Sequence, residues 1–471
     1  MVRDAQDMTW RYSGGRSGLL FLLLAGVALS ALGQDSKPPS GTTDSDAWPS
    51  FRGPRAAGVA QGHRLPTVWD VETGKNVRWR VPVPGLGLSS PVVSGGRLFL
   101  TTAVAESGRS ATLRTGLYGD IKPVDDEGVH GWRVLCLDAV SGEKLWERTA
   151  VRGVPKTRRH PKASHANATP ATDGTHVVAF FGSEGLYCFD TAGMLLWHRA
   201  LGVLDSGFFR APKAQWGFAS SPVIHGRRLF VQCDVNGASF VAAFDVASGK
   251  ELWRTSRDDV PTWSTPTIVS VEGAEQLVVN GFRCMGGYDI ASGRRLWSMS
   301  GGGDIPVPTP IVAEGLIVLA GAHGRIAPIY ALRLGVSGDI DPLKGGTSSE
   351  HMAWHHLRNG AYMQTPLAID GYLYSCRDNG SLACYRLATG ELVYRERLGS
   401  GGFTASPVAG DGKLYFTSEK GIVHTIPVGE RFDRIGRSSL TEACLATPAI
   451  WRGTLFFRTR HHLVAVGNAV N

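Results

Sequence analysis

Ser221-Pro-Val-Ile, Arg228-Leu-Phe-Val-Gln-Cys-Asp234, Phe240-Val-Ala-Ala-Phe-Asp245 and Lys250-Glu-Leu-Trp-Arg254 follow one another with only Gly-, Asn- and Ser-containing turns between them. Each is a short run of β-branched and aromatic residues, the pattern of four consecutive antiparallel strands, A to D. Proline at the start of strand A costs little, because the missing N–H falls at the end of the ladder. The step from C to D carries the sharpest signature. Asp245…Gly249…Trp253 follows D-x-x-x-G-x-x-x-W, in which Asp accepts backbone N–H groups of the turn and Gly supplies a positive φ.

The unit repeats. Asp138…Gly142…Trp146 and Asp289…Gly293…Trp297 have the same spacing, and Asp190…Gly193…Trp197 is one residue shorter. Tyr394 and Phe432 are expected to hold the Trp place in two degenerate units, and Trp354 does so after an insertion. Ser/Thr-Pro recurs at Ser90, Thr169, Ser221, Thr265, Thr309, Thr365, Ser406 and Thr447, with successive prolines 79, 52, 44, 44, 56, 41 and 41 residues apart. The shorter spacings suit one four-stranded blade each. The last unit stops after two strands beyond its A strand, whereas Val77-Arg-Trp79-Arg-Val near the N-terminus has no blade of its own. Pairing the two leaves no open edge. The expected fold is all-β, an eight-bladed β-propeller of four-stranded antiparallel blades closed by an N-terminal strand, with Trp79, Trp146, Trp197, Trp253, Trp297 and Trp354 each lying between neighbouring blades.

This grammar resembles the pyrroloquinoline-quinone-like propeller repeats, over roughly residues 48–467. Quinoprotein dehydrogenases and the outer-membrane assembly scaffold lipoprotein share that architecture, and many exported bacterial proteins of the group open with a segment like Trp48-Pro49-Ser50-Phe51-Arg52-Gly53-Pro54. The dehydrogenases use an adjacent-cysteine disulfide, an Asp base, and Glu/Asn/Asp ligands to calcium. No such cysteine pair stands here, and no residues match those ligands. The resemblance therefore implies the fold and not the redox chemistry, and neither a cofactor nor a metal is expected, pyrroloquinoline quinone with calcium being the one to test.

Composition agrees. The 471 residues include 60 Gly and 25 Pro, yet 43% are hydrophobic, enough for one large core. Arg3, Arg11 and Arg16 precede the apolar run 18–30, which is shorter than the ~18–20 residues of a membrane span and ends in Ala31 and Gly33. Residues 1–33 read as a cleaved signal peptide, with an uncleaved anchor as the alternative. Residues 34–47 read as a flexible linker, and 48–471 as a single propeller domain in the periplasm or secreted. No cysteine follows the apolar run, so lipid anchoring is disfavoured. The seven cysteines fall mostly in strand positions, as small buried hydrophobes do.

Most D-to-A connections are 11 or 12 residues from Trp to the next Ser/Thr, but Trp146 to Thr169 is 23 and Trp197 to Ser221 is 24. The B-to-C connection of the first blade is also long. These insertions cluster on one face, where binding residues are expected. Residues just before the Ser/Thr-Pro steps should ring the channel mouth: His165, Asn167, Trp263 and Gln364, joined by Arg283 from a B-to-C turn. Arg152, Lys156, Arg158, Arg159 and Lys162 make a stretch without acids in a chain of net charge +8, which favours an anionic partner. No Walker loop, HExxH or GxSxG is present. The reading is a monomeric binding or scaffolding module for an envelope protein, polysaccharide or other anionic ligand, not for nucleic acid. A quinone- or metal-dependent oxidoreductase using the same channel is the alternative.

Overall fold

The computed structural model describes residues 46–108, 111–116, 122–211, 213–340 and 351–468; the segment read as a signal peptide and most of that read as a linker lie outside them. Eight antiparallel sheets are present, one per Ser/Thr-Pro unit. In every blade strand A begins at the residue after the proline, as in Val92–Ser94, Val223–His225 and Ala449–Trp451. The eighth blade is completed by Val77–Pro82, antiparallel to His462–Gly467, so the ring closes through the N-terminal strand as its sequence implies.

The Ser and Thr side chains explain why the Ser/Thr-Pro step recurs. The Ser90 N–H donates to Thr169 Oγ1 at 2.9 Å, Thr169 N–H to Ser221 Oγ at 2.9 Å, and Ser221 N–H to Thr265 Oγ1 at 3.0 Å. The chain of bonds continues through Thr309, Thr365 and Ser406 to Thr447. Each hydroxyl thus satisfies an inner-strand donor of the preceding blade that no ladder reaches.

The C–D hairpins join blades at larger radius. The Asp138 carboxylate accepts the N–H groups of Val140 and Ser141, which holds it below the usual carboxylate range. Gly142 takes φ +77°, and a Cβ there would meet the Trp79 indole at 2.6 Å. The Trp79 N–H donates to Ala139 O, just past the Asp. The same contact recurs for Trp146 on Thr191 O, Trp197 on Val246 O, Trp253 on Ile290 O and Trp354 on Leu387 O. One blade's Asp and Gly therefore shape the seat of the preceding blade's Trp.

Two positions depart from this pattern. Trp297 donates to Gln276 Oε1 within its own blade, at 2.8 Å. The fifth blade offers it no short turn, because Gly338–Ile340 of its C–D connection instead pairs in parallel with Trp297–Met299 as a fifth strand. Phe432 does not stand in the Trp place of the seventh blade. Gly436 does, opposite Thr425, because the longer turn leaves Phe432 packed on Tyr394 at 6.0 Å. The gap is filled from the N-terminal side: Thr67 O accepts from Thr425 Oγ1, and Trp69 packs on Phe457 at 5.4 Å and on Tyr415 at 6.5 Å.

The Trp48–Pro54 segment crosses the channel. Trp48 exchanges backbone bonds with Val93 of the first blade, and Pro49 O accepts from Thr172 N–H of the second. Arg52, fully buried, donates to Pro366 O and Pro407 O at the entrances of blades six and seven, and to Ala56 O and Ala57 O. Val59–Ala60 then adds in parallel to Val408–Gly410 of the seventh blade.

Candidate functional site

Above the crossing segment lies a cavity of about 740 Å³ on the channel axis, lined by the Ser/Thr ring, with Phe51 in contact with it. Its wall is aromatic on the side of the second-blade insertion. That insertion forms a small hairpin through a Gly207–Gln215 bridge, which lays Phe208 flat on Trp216, 5.7 Å between centroids and 1° between planes. Trp216 in turn packs on Trp263 at 5.8 Å and meets His160 edge-on at 5.5 Å. Beyond Phe208 come His323 and Tyr362, whose rings are 5.9 Å apart. Gly217 O accepts the Trp263 indole N–H, so Trp263, in the connection just before strand A of the fourth blade, braces the insertion.

The polar groups are few and held in place. Asp304, almost fully buried, lies 2.5 Å from His323 Nδ1 and 3.4 Å from an Arg210 nitrogen. His323, nearly half exposed and with φ +74°, sits in the left-handed region on the B–C turn of the fifth blade. With Nδ1 so engaged, its Nε2 is left to face the cavity as donor or acceptor. Burial pushes the Tyr362 phenol up, with Asp378 and Asp304 adding to the effect, so it is a neutral donor at any physiological pH. Across the mouth Lys162 Nζ meets the buried Glu419 carboxylate at 2.5 Å, which also accepts from Thr404 Oγ1 and Gly116 N–H. This strut ties the first blade's insertion to the seventh.

Of the residues expected at the mouth, Asn167 and Trp263 line the cavity, while His165, Gln364 and Arg283 do not. Asn167 uses Oδ1 on Ser164 and Nδ2 on Phe218 O, so it holds two insertions together. His165 turns away, towards His130 and Trp132. Gln364 is buried, and neither of its amide atoms has a partner among the described residues. Arg283 lies out on its turn, 3.4 Å from Asp258.

The basic stretch is largely neutralised within the molecule. Arg152 pairs with Glu106, Arg158 with Asp125 and Glu127, Arg159 with Asp126, and Lys162 with Glu419. Lys156 donates to Ser183 O. The acids come from the B–C insertion and the seventh blade, where the linear sequence gives no sign of the pairing. Sequence reading also missed Trp216, His323, Tyr362 and Asp304. The one local signal was Ala322-His-Gly324, a histidine in a B–C turn.

Against known proteins, the sequence matches the family described as outer membrane protein assembly factor BamB over residues 36–207 and 237–333, more than half of the chain. Among curated proteins none matches. Among solved structures, BamB from Moraxella catarrhalis is similar over 78% of this chain and 99% of its own, with 12% identity and a TM-score of 0.50. A europium-containing methanol dehydrogenase is similar over 90% of each chain, with 11% identity and a TM-score of 0.48. By the sequence match, this propeller belongs to the family described as outer membrane protein assembly factor BamB.

Proposed function

We propose that the chain is an exported, monomeric binding propeller that captures part of a partner, an envelope protein or a polysaccharide, in the cavity at its channel mouth, without catalysis. The observation that carries this reading is the aromatic lining of Trp216, Trp263 and Tyr362, backed by Phe208 and interrupted by a few fixed polar groups. Mostly apolar clefts with sparse oriented donors and acceptors fix the orientation of what they bind. The family, whose description names an assembly factor, and the leader-like N-terminus support it. Among the described residues no helix is long and apolar enough to cross a membrane. The pairing of the basic stretch favours ring stacking and hydrogen bonding over anion capture as the source of affinity.

The same site is ill suited to a quinone with three carboxylates and a calcium ion. Among the described lining residues Lys162 is already paired with Glu419, and Asp378 is the sole carboxylate. No cysteine lines the cavity; all seven are buried with free thiols.

A photo-crosslinking side chain at position 362 should trap the partner in envelope preparations of the native host. Trp263→Ala should abolish the adduct at unchanged melting temperature within a few degrees. Crosslinking from the outer C–D hairpins instead, or an adduct indifferent to Trp263, overturns the reading. Intact-mass analysis of the native protein should place its N-terminus near Gln34; retention of Met1 would refute cleavage.

A further inference from the structure

Beneath the two insertions of the first blade, away from the channel cavity, Asp126, His130 and His165 come together so that one donor atom of each lies within 4.8 Å of the others. They come from different segments: Asp126 from the B–C insertion, His130 from the first position of strand C, and His165 from the D–A insertion. The His130 Nδ1 lies 2.7 Å from Gly128 O. That contact selects the tautomer with Nδ1–H donated to the carbonyl, and it leaves the Nε2 lone pair free to bind. Metal-binding histidines are oriented by the same kind of bond from the other ring nitrogen.

The His165 ring is held as firmly. Trp132 Nε1–H donates to its backbone carbonyl at 2.9 Å, and its ring meets those of His130 and Trp132 edge-on. The His165 side chain is more than nine-tenths buried, and its Nε2 has no hydrogen-bond partner although Asp126 Oδ2 is 3.5 Å away. A buried imidazole nitrogen without a partner is a cost that a bound cation removes. Arg159 completes the surroundings. Its Nε donates to Asp126 Oδ2 at 2.5 Å, and its Nη1 donates to Thr112 O and Ala163 O. It fixes the carboxylate through the same oxygen that faces His165, so a metal there shares Oδ2 with the guanidinium or takes Oδ1, and the Arg159 charge lowers the affinity that the three donors alone would have.

We propose that Asp126, His130 and His165 form a zinc site that pins the B–C insertion of the first blade to its D–A insertion. Two imidazoles and one carboxylate suit zinc, and a water completes the tetrahedron. Calcium and magnesium prefer all-oxygen sets. On a metal at ~2.1 Å, tetrahedral ligands lie ~3.4 Å apart, so the His165–Asp126 pair at 3.5 Å is already at that spacing, and no pair in the group exceeds 4.8 Å. The pinned segment runs from Arg159 through Lys162 to Asn167, and the last two line the channel cavity, so zinc occupancy orders that rim.

The test uses zinc alone, with the mature chain first stripped by a chelator. Calorimetry should show saturable uptake of about one equivalent, and the melting temperature should rise on addition of zinc but not of calcium. His130→Ala, His165→Ala and Asp126→Asn should each lose both effects, while His461→Ala keeps them. Because His165→Ala removes packing as well, cobalt(II) is titrated into the unaltered protein. Intense visible bands of a tetrahedral nitrogen–oxygen site are expected, and their absence overturns the proposal whatever the variants do. No saturable uptake at ~1 mM zinc, or uptake unchanged in the three variants, overturns it equally. None of these readouts involves the channel ligand, so the proposed binding function stands or falls separately.

Discussion

Trp253 shows what one side chain does here. Its indole covers Gly293, where a Cβ would sit 2.5 Å away, and its N–H holds Ile290 O of the next blade. Trp253 is partly buried, so its removal should cost towards the lower end of the ~3–5 kcal/mol of a core aromatic, against a total stability of ~5–15 kcal/mol. Trp253→Ala should therefore lower the melting temperature strongly in differential scanning calorimetry. Gly249→Ala should also destabilise, from the other partner: its φ is +67° and the new methyl would strike the Trp197 ring at 2.6 Å. Trp253 could be read from sequence because Asp, Gly and Trp keep a fixed spacing. Trp297 has the same spacing but a different seat, because what receives a Trp is decided by the following blade. Its Asp-x-x-x-Gly is absent there, and the replacement strand comes from an insertion that local pattern does not place.

At the scale of elements, strands were legible and excursions were not. Strand A starts where the proline says it must, since proline fixes the first ladder position. The segment around Trp69 is the opposite case. It has no strand pattern, yet it replaces the missing aromatic of the seventh blade, and the Trp69 backbone N–H donates to Ser438 Oγ. Trp69→Ala should thus cost as much as loss of a hairpin Trp, measurable as a comparable drop in denaturant midpoint. The same reasoning explains the partial reading of the site. Asn167 and Trp263 each lie four residues before a strand A, so counting back from the proline found them, although the same counting also picked the buried Gln364. Trp216 and Phe208 stand in a hairpin that exists only because the insertion folds back on itself. His323 and Asp304 meet at 2.5 Å although they lie on different connections.

For the whole molecule, pH reports on groups that the fold keeps from changing charge. Burial, then Arg434 and Arg437, lower the His424 pKa from 6.5 to about 4. The unfolded chain takes up this proton below pH ~6.5 and the native chain does not, so stability falls from about pH 6.5 towards 4. A melting-temperature profile should decline across that window, and His424→Gln should make the decline shallower. A second acid limb comes from Glu442. Burial raises its pKa, but bonds from Thr459, His461 and His462 outweigh that and hold it to about 2. Its contribution is complete above its ordinary pKa of 4.5 and is lost as pH falls towards 2. Glu442→Gln should flatten this lower limb, because the carboxylate braces the hairpin that pairs with the N-terminal strand.

The segment that crosses the channel turns a potential tunnel into a cul-de-sac. With Phe51 at the cavity and Arg52 bonded to blades six and seven, whatever enters from the insertion face leaves by the same opening. On the proposed binding reading, this segment disfavours threading as a mode of engagement. A polymer has to present a terminus, a side branch or a projecting loop, and its length beyond the mouth is irrelevant to how much of it is held. If the proposed capture holds, the molecule measures the tip of its partner and ignores the rest.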